Sequence, residues 1–341
     1  MTKSEPPAKA SSTADARTCM GGIVKKRAEF TWQKSDNRQP RQGDLPGCES
    51  AVLAVDAGSV AVGVVIVDPR RGLRKQGYTF HHGNIPAALA SLLTEEEIRS
   101  VRYFAATTST PLTVAAQQRY DNQVAITAAA RTTHPQLAAL LNVGGERFSL
   151  ATFDEDGHYL SCTTNTSCAA GTGSFLDQQA GRLRLDGIKD LAALAGNCGG
   201  TVPRIASRCA VFAKTDLIHA QQEGYQLNEI SSGLCRGLAK NIADTLFAGR
   251  HLPCGPVLFC GGVAKNQAVV NALAELTGLK FTVPDNGALY GAFGAALLLL
   301  EDLDGGLELP PLSLVSLADL QSRQANGARS YFYPPLVLQH S

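Results

Sequence analysis

The chain has 341 residues, enough for two domains with well-formed cores, and its 18% charged content and net charge of +1 argue against a nucleic-acid-binding surface. The longest apolar run, Ala288 to Leu300, is too short and too glycine-interrupted for a membrane span, and Met1-Thr-Lys-Ser-Glu lacks the apolar core of a signal peptide. Nine cysteines fall short of the density of a secreted disulfide scaffold, which makes a reducing cytoplasm the expected compartment, with thiols free or bound to metal.

Residues 1–47 are rich in Ser, Pro, Lys, Arg and Gln without periodicity and read as a disordered leader. Order is expected from Ala51. Val52-Leu-Ala-Val-Asp56-Ala-Gly58-Ser59 reads as a buried strand entering a tight turn, with Val60 to Val67 returning and Asp68-Pro69 closing the hairpin. Such a turn offers backbone N–H groups and a hydroxyl to phosphate, and Asp56 can hold a hydrated magnesium ion. On its own this is also the pattern of an ordinary hairpin. The pattern recurs, however, in Leu140-Leu-Asn142-Val-Gly144-Gly145 followed by Phe148 to Asp154, which predicts an internal duplication. Between the hairpins, Pro86 to Arg99 reads as helix and Val101 to Ala106 as a strand ending in Thr107-Thr-Ser-Thr-Pro111. Val114 to Tyr120 is expected to be helix, with a short strand over Val124 to Thr127. Each half thus opens with antiparallel strands and continues into alternating helix and strand, an α/β arrangement.

Two cysteine-headed helical patterns follow. Asn165-Thr-Ser-Cys168-Ala-Ala-Gly171-Thr172-Gly173 leads into an amphipathic helix with Ser174 as the expected N-cap, and Ser207-Arg-Cys209 heads a second helix that stops at Gly224. Free N–H groups and the positive dipole end favour thiolate at such positions, which suits a reactive thiol or a soft-metal ligand as well as a small buried side chain. Two thiolates do not complete a four-thiolate cluster; either other cysteines join them or two copies of the chain contribute a pair each. Ile188 to Ala195 and Asn228 to Phe247 read as helices, and Cys235 on the latter as packing. Val257-Leu-Phe-Cys-Gly261-Gly262 reads as a strand running into a helix whose start carries Lys265 and Asn266, where free N–H groups meet a ribose or phosphate. Phe281 to Pro284 reads as a short strand. Asn286 to Ala296, with Gly291 and Gly294, opens a last helix whose small residues permit close backbone approach, and beyond Leu300 the chain reads as a polar tail.

Cys168-Ala-Ala-Gly-Thr-Gly173, Ser207-Arg-Cys209-Ala-Val-Phe-Ala213, Gly261-Gly-Val-Ala-Lys-Asn266 and Gly291-Ala-Phe-Gly-Ala-Ala296, in this order, resemble the motifs of the BadF/BadG/BcrA/BcrD-type ATPases, most closely the activators of 2-hydroxyacyl-CoA dehydratases. The resemblance implies an actin/hexokinase/Hsp70-like fold of two duplicated RNase H-like lobes with a nucleotide cleft between them. Residues 48–139 with 285–300 would form the first lobe, 140–284 the second with the cysteine-headed helices, and 301–341 a tail. It further implies Asp56 as a catalytic group acting with Mg2+; Glu146 is the candidate second acid, compensating where the chain departs from the family's second loop. ATP would lie on Gly58, Ser59, Gly144, Gly145, Gly171, Thr172, Gly173, Gly261, Gly262, Lys265, Asn266 and Gly291. One [4Fe-4S] cluster would be shared across a homodimer by Cys168 and Cys209 of each copy. ATP hydrolysis would drive a low-potential electron, received from ferredoxin or flavodoxin, into a dehydratase.

The chain departs from the family pattern in two loops. Val60 and Gly63 stand where a Thr and a Lys usually follow Asp-x-Gly-Ser, and the second loop begins with Asn142 in place of Asp and carries Arg147 in place of another acid. An electron carrier or regulatory subunit of the same fold is the second reading. A sugar-kinase-like phosphotransferase is the third, which needs a carboxylate where Asn142 stands.

Overall fold

The computed structural model describes residues 51–69, 72–165, 172–206 and 210–321; the expected leader, Gly171, Cys168 and Cys209 lie outside the described residues. Two five-stranded sheets carry the chain. The first contains β1 (Val52–Ala57), β2 (Ala61–Asp68), β3 (Gly72–Phe80), β4 (Tyr103–Thr107) and β5 (Gln118–Tyr120), in the order β3-β2-β1-β4-β5. The second contains β6 (Ala139–Val143), β7 (Phe148–Phe153), β8 (Tyr159–Thr164), β9 (Val257–Cys260) and β10 (Phe281–Thr282), in the order β10-β9-β6-β7-β8. In each, the first three strands pair antiparallel and the last two join parallel, so β1 to β5 and β6 to β10 repeat one topology. The expected duplication is present in the strand order itself.

Helices α1 (Ile85–Leu92), α2 (Glu95–Arg99) and α3 (Asn122–Thr133) belong to the first half. Those of the second are α4 (Gly173–Arg182), α5 (Ile188–Gly196), α6 (Ala210–Gln222), α7 (Leu227–Ile242) and α8 (Gln267–Thr277), and α9 (Tyr290–Asp304) closes the chain's regular structure. Leu53, Val55, Val64, Ile66, Phe104 and Ile98 centre the first core; Leu141, Phe148, Phe259, Leu176, Leu234 and Leu238 centre the second. Strands β1 and β2 are apolar along almost their whole length because α9 covers the face that a simple alternating strand would leave to water. Among the described residues no helix is long and apolar enough to cross a membrane.

Several local expectations are corrected. The helix expected over 86–99 is two helices, because Thr94 starts a new one with a reciprocal capping box: its Oγ1 accepts from the Glu97 N–H at 3.3 Å and its own N–H donates to Glu97 Oε2 at 2.8 Å. The helix expected over Val114 to Tyr120 is extended chain ending in β5, and the strand expected over Val124 to Thr127 lies inside α3. Asp121 starts α3 by accepting the N–H groups of Gln123 and Val124, which favours helix over the short apolar run. β3, a polar and half-buried strand, was not expected at all. The N-cap of α4 is Thr172, not Ser174. Beyond Leu300, α9 runs on to Asp304, and Leu312, Leu314, Leu317 and Leu320 pack on the first core. The Leu312 N–H reaches the Arg102 carbonyl at 2.7 Å, and the Ala115 N–H reaches that of Leu320 at 2.9 Å.

Helices α3 and α9 cross where Gly294 lies against the Ala125 carbonyl, so closely that a methyl group there would overlap it. Gly294→Ala is therefore expected to cost about 1–3 kcal/mol and lower the melting midpoint by roughly 3–10 °C, measured by circular dichroism.

Candidate functional site

The carboxyl ends of the central strands meet in a cleft between the two halves. At the end of β1, Asp56 is half-buried. Its Oδ1 accepts from Thr107 Oγ1 at 2.6 Å, Ser109 Oγ at 3.1 Å and Asn122 Nδ2 at 3.3 Å, which belong to the end of β4, the loop after it and the start of α3. Burial nevertheless raises the carboxyl above its ordinary value, and the three donors only partly offset it. All three converge on Oδ1, and Oδ2 is turned toward the start of α9. Gly291, at the start of α9, lies against that carboxylate with no room for a side chain.

Two matching turns form the floor. Gly58 donates to the Ala61 carbonyl at 3.0 Å, and Gly144 to the Arg147 carbonyl at 2.8 Å. The turns touch across the cleft: a methyl on Gly145 would stand 3.0 Å from Ser59 Oγ and 2.7 Å from Val60 Cγ2. The start of α4 holds the second turn, with Gly173 N–H on the Gly144 carbonyl at 3.0 Å and Ser174 N–H on that of Gly145 at 2.9 Å. Those first-turn donors of α4 are thus occupied by protein, and Thr172 beside them is fully buried.

A third loop closes the site. Gly261, at φ 91° and against the Val143 carbonyl, accepts a conformation that a side chain would not. Next to it, a methyl on Gly262 would stand 2.8 Å from the Tyr78 hydroxyl, and Lys265 Nζ sits 4.3 Å above the centre of the Tyr78 ring. Burial, and then the Asp56 charge, push the Tyr78 phenol up. Burial, and then the nearby Lys189, hold Lys265 below the usual ammonium range. Lys189, at the start of α5, lines a cavity of about 450 Å³ with Ser59, Val60, His81 and Asp177. The cleft thus carries both signs of charge: Asp56 on one side, and Lys265 and Lys189 beside Asp177 and Asp186 on the other.

The expected residues do not all converge. Asp56, Gly58, Ser59, Gly144, Gly145, Gly173, Gly261, Gly262, Lys265 and Gly291 form one contiguous constellation. Asn142 is half-buried with Oδ1 beside Gly261, whereas Glu146 and Arg147 are exposed. Asn266 is 4% exposed; its Oδ1 accepts from Ala268 N and Val269 N at 3.1 and 3.3 Å, and its Nδ2 donates to Cys235 Sγ at 3.4 Å. That side chain caps α8 and is spent. Cys235 is packed in the second core, its thiol pushed up to about 12 by burial, and burial also raises Cys260. Asp154, Asp156 and His158 cluster on the β7–β8 turn, at the opposite end of β7 from the cleft. Residues that sequence reasoning missed are Tyr78, His81, Ser109, Asn122 and Lys189. The polar Thr107-Thr-Ser-Thr run was the one visible signal; the others sit on a strand, or at element starts, without a motif.

Residues 55–298 match the model of the BadF/BadG/BcrA/BcrD ATPase family. The chain is 32% identical over 168 residues to the 2-hydroxyisocaproyl-CoA dehydratase activator of Clostridioides difficile, covering 49% of this chain and 62% of that one. It is also 32% identical over 163 residues to the (R)-2-hydroxyglutaryl-CoA dehydratase activating ATPase of Acidaminococcus fermentans, covering 48% and 61%. The matched segment thus spans about three-fifths of these relatives. The fold is that of the solved activator of the 2-hydroxyisocaproyl-CoA dehydratase from Clostridium difficile with bound ADPNP, at TM-score 0.66 and 24% identity, covering 76% of this chain and 98% of that one.

The Asp56 shift has a sign. Its folded value lies above the ordinary 3.8, so the folded state holds the proton more tightly, and this contribution to stability is lost as pH rises from about 3.8 through the folded value. Asp56→Asn is therefore expected to raise the melting midpoint at pH 7. That gain should shrink on acidification toward 3.8. Calorimetric melts across pH check both statements.

Proposed function

Because the chain belongs to the BadF/BadG/BcrA/BcrD ATPase family, we propose that it binds MgATP between its lobes and couples hydrolysis to delivery of a low-potential electron to a 2-hydroxyacyl-CoA dehydratase-type enzyme. The observation that carries this reading is the pair of matched turns, Gly58–Ala61 and Gly144–Arg147, facing each other beside Asp56 inside the matched segment. The activator relatives support it. Asp56 holds the hydrated magnesium ion, the two turns take the phosphates on the N–H groups not spent within the turns, and Lys265 with Lys189 balances the remaining negative charge.

The lobes are assigned to residues 48–139 with 285–300 and to 140–284. Cys168 and Cys209 hold a [4Fe-4S] cluster with the same two residues of a second copy. The donor set fits, since these two thiols stand before α4 and α6, while Cys235 and Cys260 are kept as thiols by burial. Such a cluster supplies one-electron transfer. Ferredoxin or flavodoxin serves as reductant, in the cytoplasm.

Position in the nucleotide loop reaches the Cys209 segment through packed elements. Asn266 ties the start of α8 to α7 through Cys235. On α7, Gly233 and Gly237 receive Pro203 and Ile205, and Asp216 on α6 accepts the Ala206 N–H at 2.7 Å. A lobe movement driven by nucleotide favours one arrangement of this unit over another.

A second reading is favoured by Asn142 and by the exposure of Glu146, which leave the second turn without a buried acid. In it the protein keeps the cluster and serves as an electron carrier or regulatory subunit with little hydrolysis. Anaerobically purified protein is expected to carry roughly two iron atoms and two sulfides per chain, half of a shared four-iron cluster, falling to background in both Cys168→Ala and Cys209→Ala. ATP turnover above background selects the activator reading; iron without turnover, with or without a partner dehydratase, selects the carrier. Iron unaffected by either substitution removes both.

A further inference from the structure

We propose that His81 is a positioning residue for the nucleotide, holding the Gly58–Ser59 peptide so that the Ser59 N–H faces the phosphates; this rests on the ATP-binding reading above. His81 lies where β3 ends, and every polar group it has is engaged. Its N–H donates to the Val60 carbonyl at 3.1 Å, and its carbonyl accepts the Asn84 N–H at 2.6 Å. Its Nδ1 accepts the Gly83 N–H at 3.0 Å, and Nε2 lies 3.0 Å from the Gly58 carbonyl. These neighbours fix the tautomer. Gly83 is a donor, so Nδ1 is the bare acceptor, and Nε2 carries the proton and donates to Gly58.

The consequence follows from peptide geometry. In a trans peptide the N–H points opposite to the C=O. With the Gly58 carbonyl drawn to His81, the Ser59 N–H is aimed to the far side of the turn, while the Val60 carbonyl is held by the His81 N–H and the Gly58 N–H by the Ala61 carbonyl. In a closed two-residue hairpin the Gly58 carbonyl would instead face back across the turn. The duplicated half uses the same device with other atoms: the Gly144 and Gly145 carbonyls are held by the N–H groups of Gly173 and Ser174. His81 is to the first turn what the start of α4 is to the second.

The segment that carries the ring is itself fixed. His82 has φ 45° and Gly83 φ 83°, so two consecutive residues, one of them not glycine, are held in the left-handed region. Asn84 then starts α1 by accepting the Ala87 N–H at 3.0 Å. The ring is thus presented from a tight, anchored turn, and it also lines the cavity between the lobes.

Two substitutions separate positioning from simple capping of the 81–84 turn. The amide of glutamine reaches the place of Nε2 and keeps the bond to Gly58; that of asparagine reaches only the place of Nδ1 and keeps the bond to Gly83. Full-length wild type, H81Q and H81N are compared by MgATP titration calorimetry, by KM and kcat for hydrolysis, and by melting without nucleotide. H81Q is expected within about 3-fold of wild type in Kd and KM, whereas H81N weakens both by about 10-fold or more with kcat changed less than about 3-fold. Melting midpoints of all three are expected to agree within about 3 °C. Wild-type-like binding by H81N, equal losses in both variants, or a fall in the H81N midpoint that parallels its loss of binding each overturns the inference. Wild-type protein that binds no MgATP overturns the reading beneath it, and the inference with it.

Discussion

One carboxylate organises the first lobe. Burying Asp56 is unfavourable unless its charge is solvated by protein, and the solvation comes from the end of β4, the loop after it and the start of α3, while α9 makes room by having no side chain at Gly291. Those elements cannot shift independently without exposing a desolvated oxygen. The carboxylate therefore ties the end of β4, the first residue of α3 and the start of α9 to one point. The cost remains visible in the raised pKa of the carboxyl.

The two lobes repeat one topology and one turn but not one electrostatic role. Asn142 stands at the place of Asp56, and an amide there needs no shell of donors like that formed by Thr107, Ser109 and Asn122. The second lobe contributes positive charge instead, through Lys265 stacked over Tyr78 and Lys189 close by. A duplicated scaffold thus presents a buried acid from one side and, from the other, two lysines beside the acids Asp177 and Asp186. Tyr78, reaching from β3 to Gly262, fills space beside Gly63, its cross-strand partner.

Much of this was legible in the sequence where the physics is local. Strands β1, β2, β6, β7 and β9 are continuous apolar runs between glycine turns, and α7 carries its apolar residues at helical spacing, so these elements and the duplication could be read directly. β3 could not: Gly72-Leu-Arg-Lys-Gln-Gly-Tyr-Thr-Phe80 has little alternation because most of the strand is half-buried. Missing β3 concealed Tyr78 and His81 together. Residues 114–127 were misread because short apolar runs do not distinguish strand from helix; the Asp121 cap and the packing of Ala125 and Ala129 beneath α9 decide it. Among the site residues, glycines were readable because a turn or a close approach demands them. Asn266 was misplaced because a helix-start asparagine looks the same whether it caps the helix or binds a ligand.

That last ambiguity has a physical resolution. An amide that accepts two N–H groups and donates to a buried sulfur has no capacity left, and turning it toward a ribose would forfeit a cap worth about 1 kcal/mol. What such a residue can do is fix position. Val263 and Ala264 of its loop, Cys235 of α7, Ile205 before Cys209 and Leu217 of α6 all belong to one buried cluster. Close-packed interiors transmit displacement instead of absorbing it. The loop beneath Lys265 and the helix that follows Cys209 therefore share one packed core.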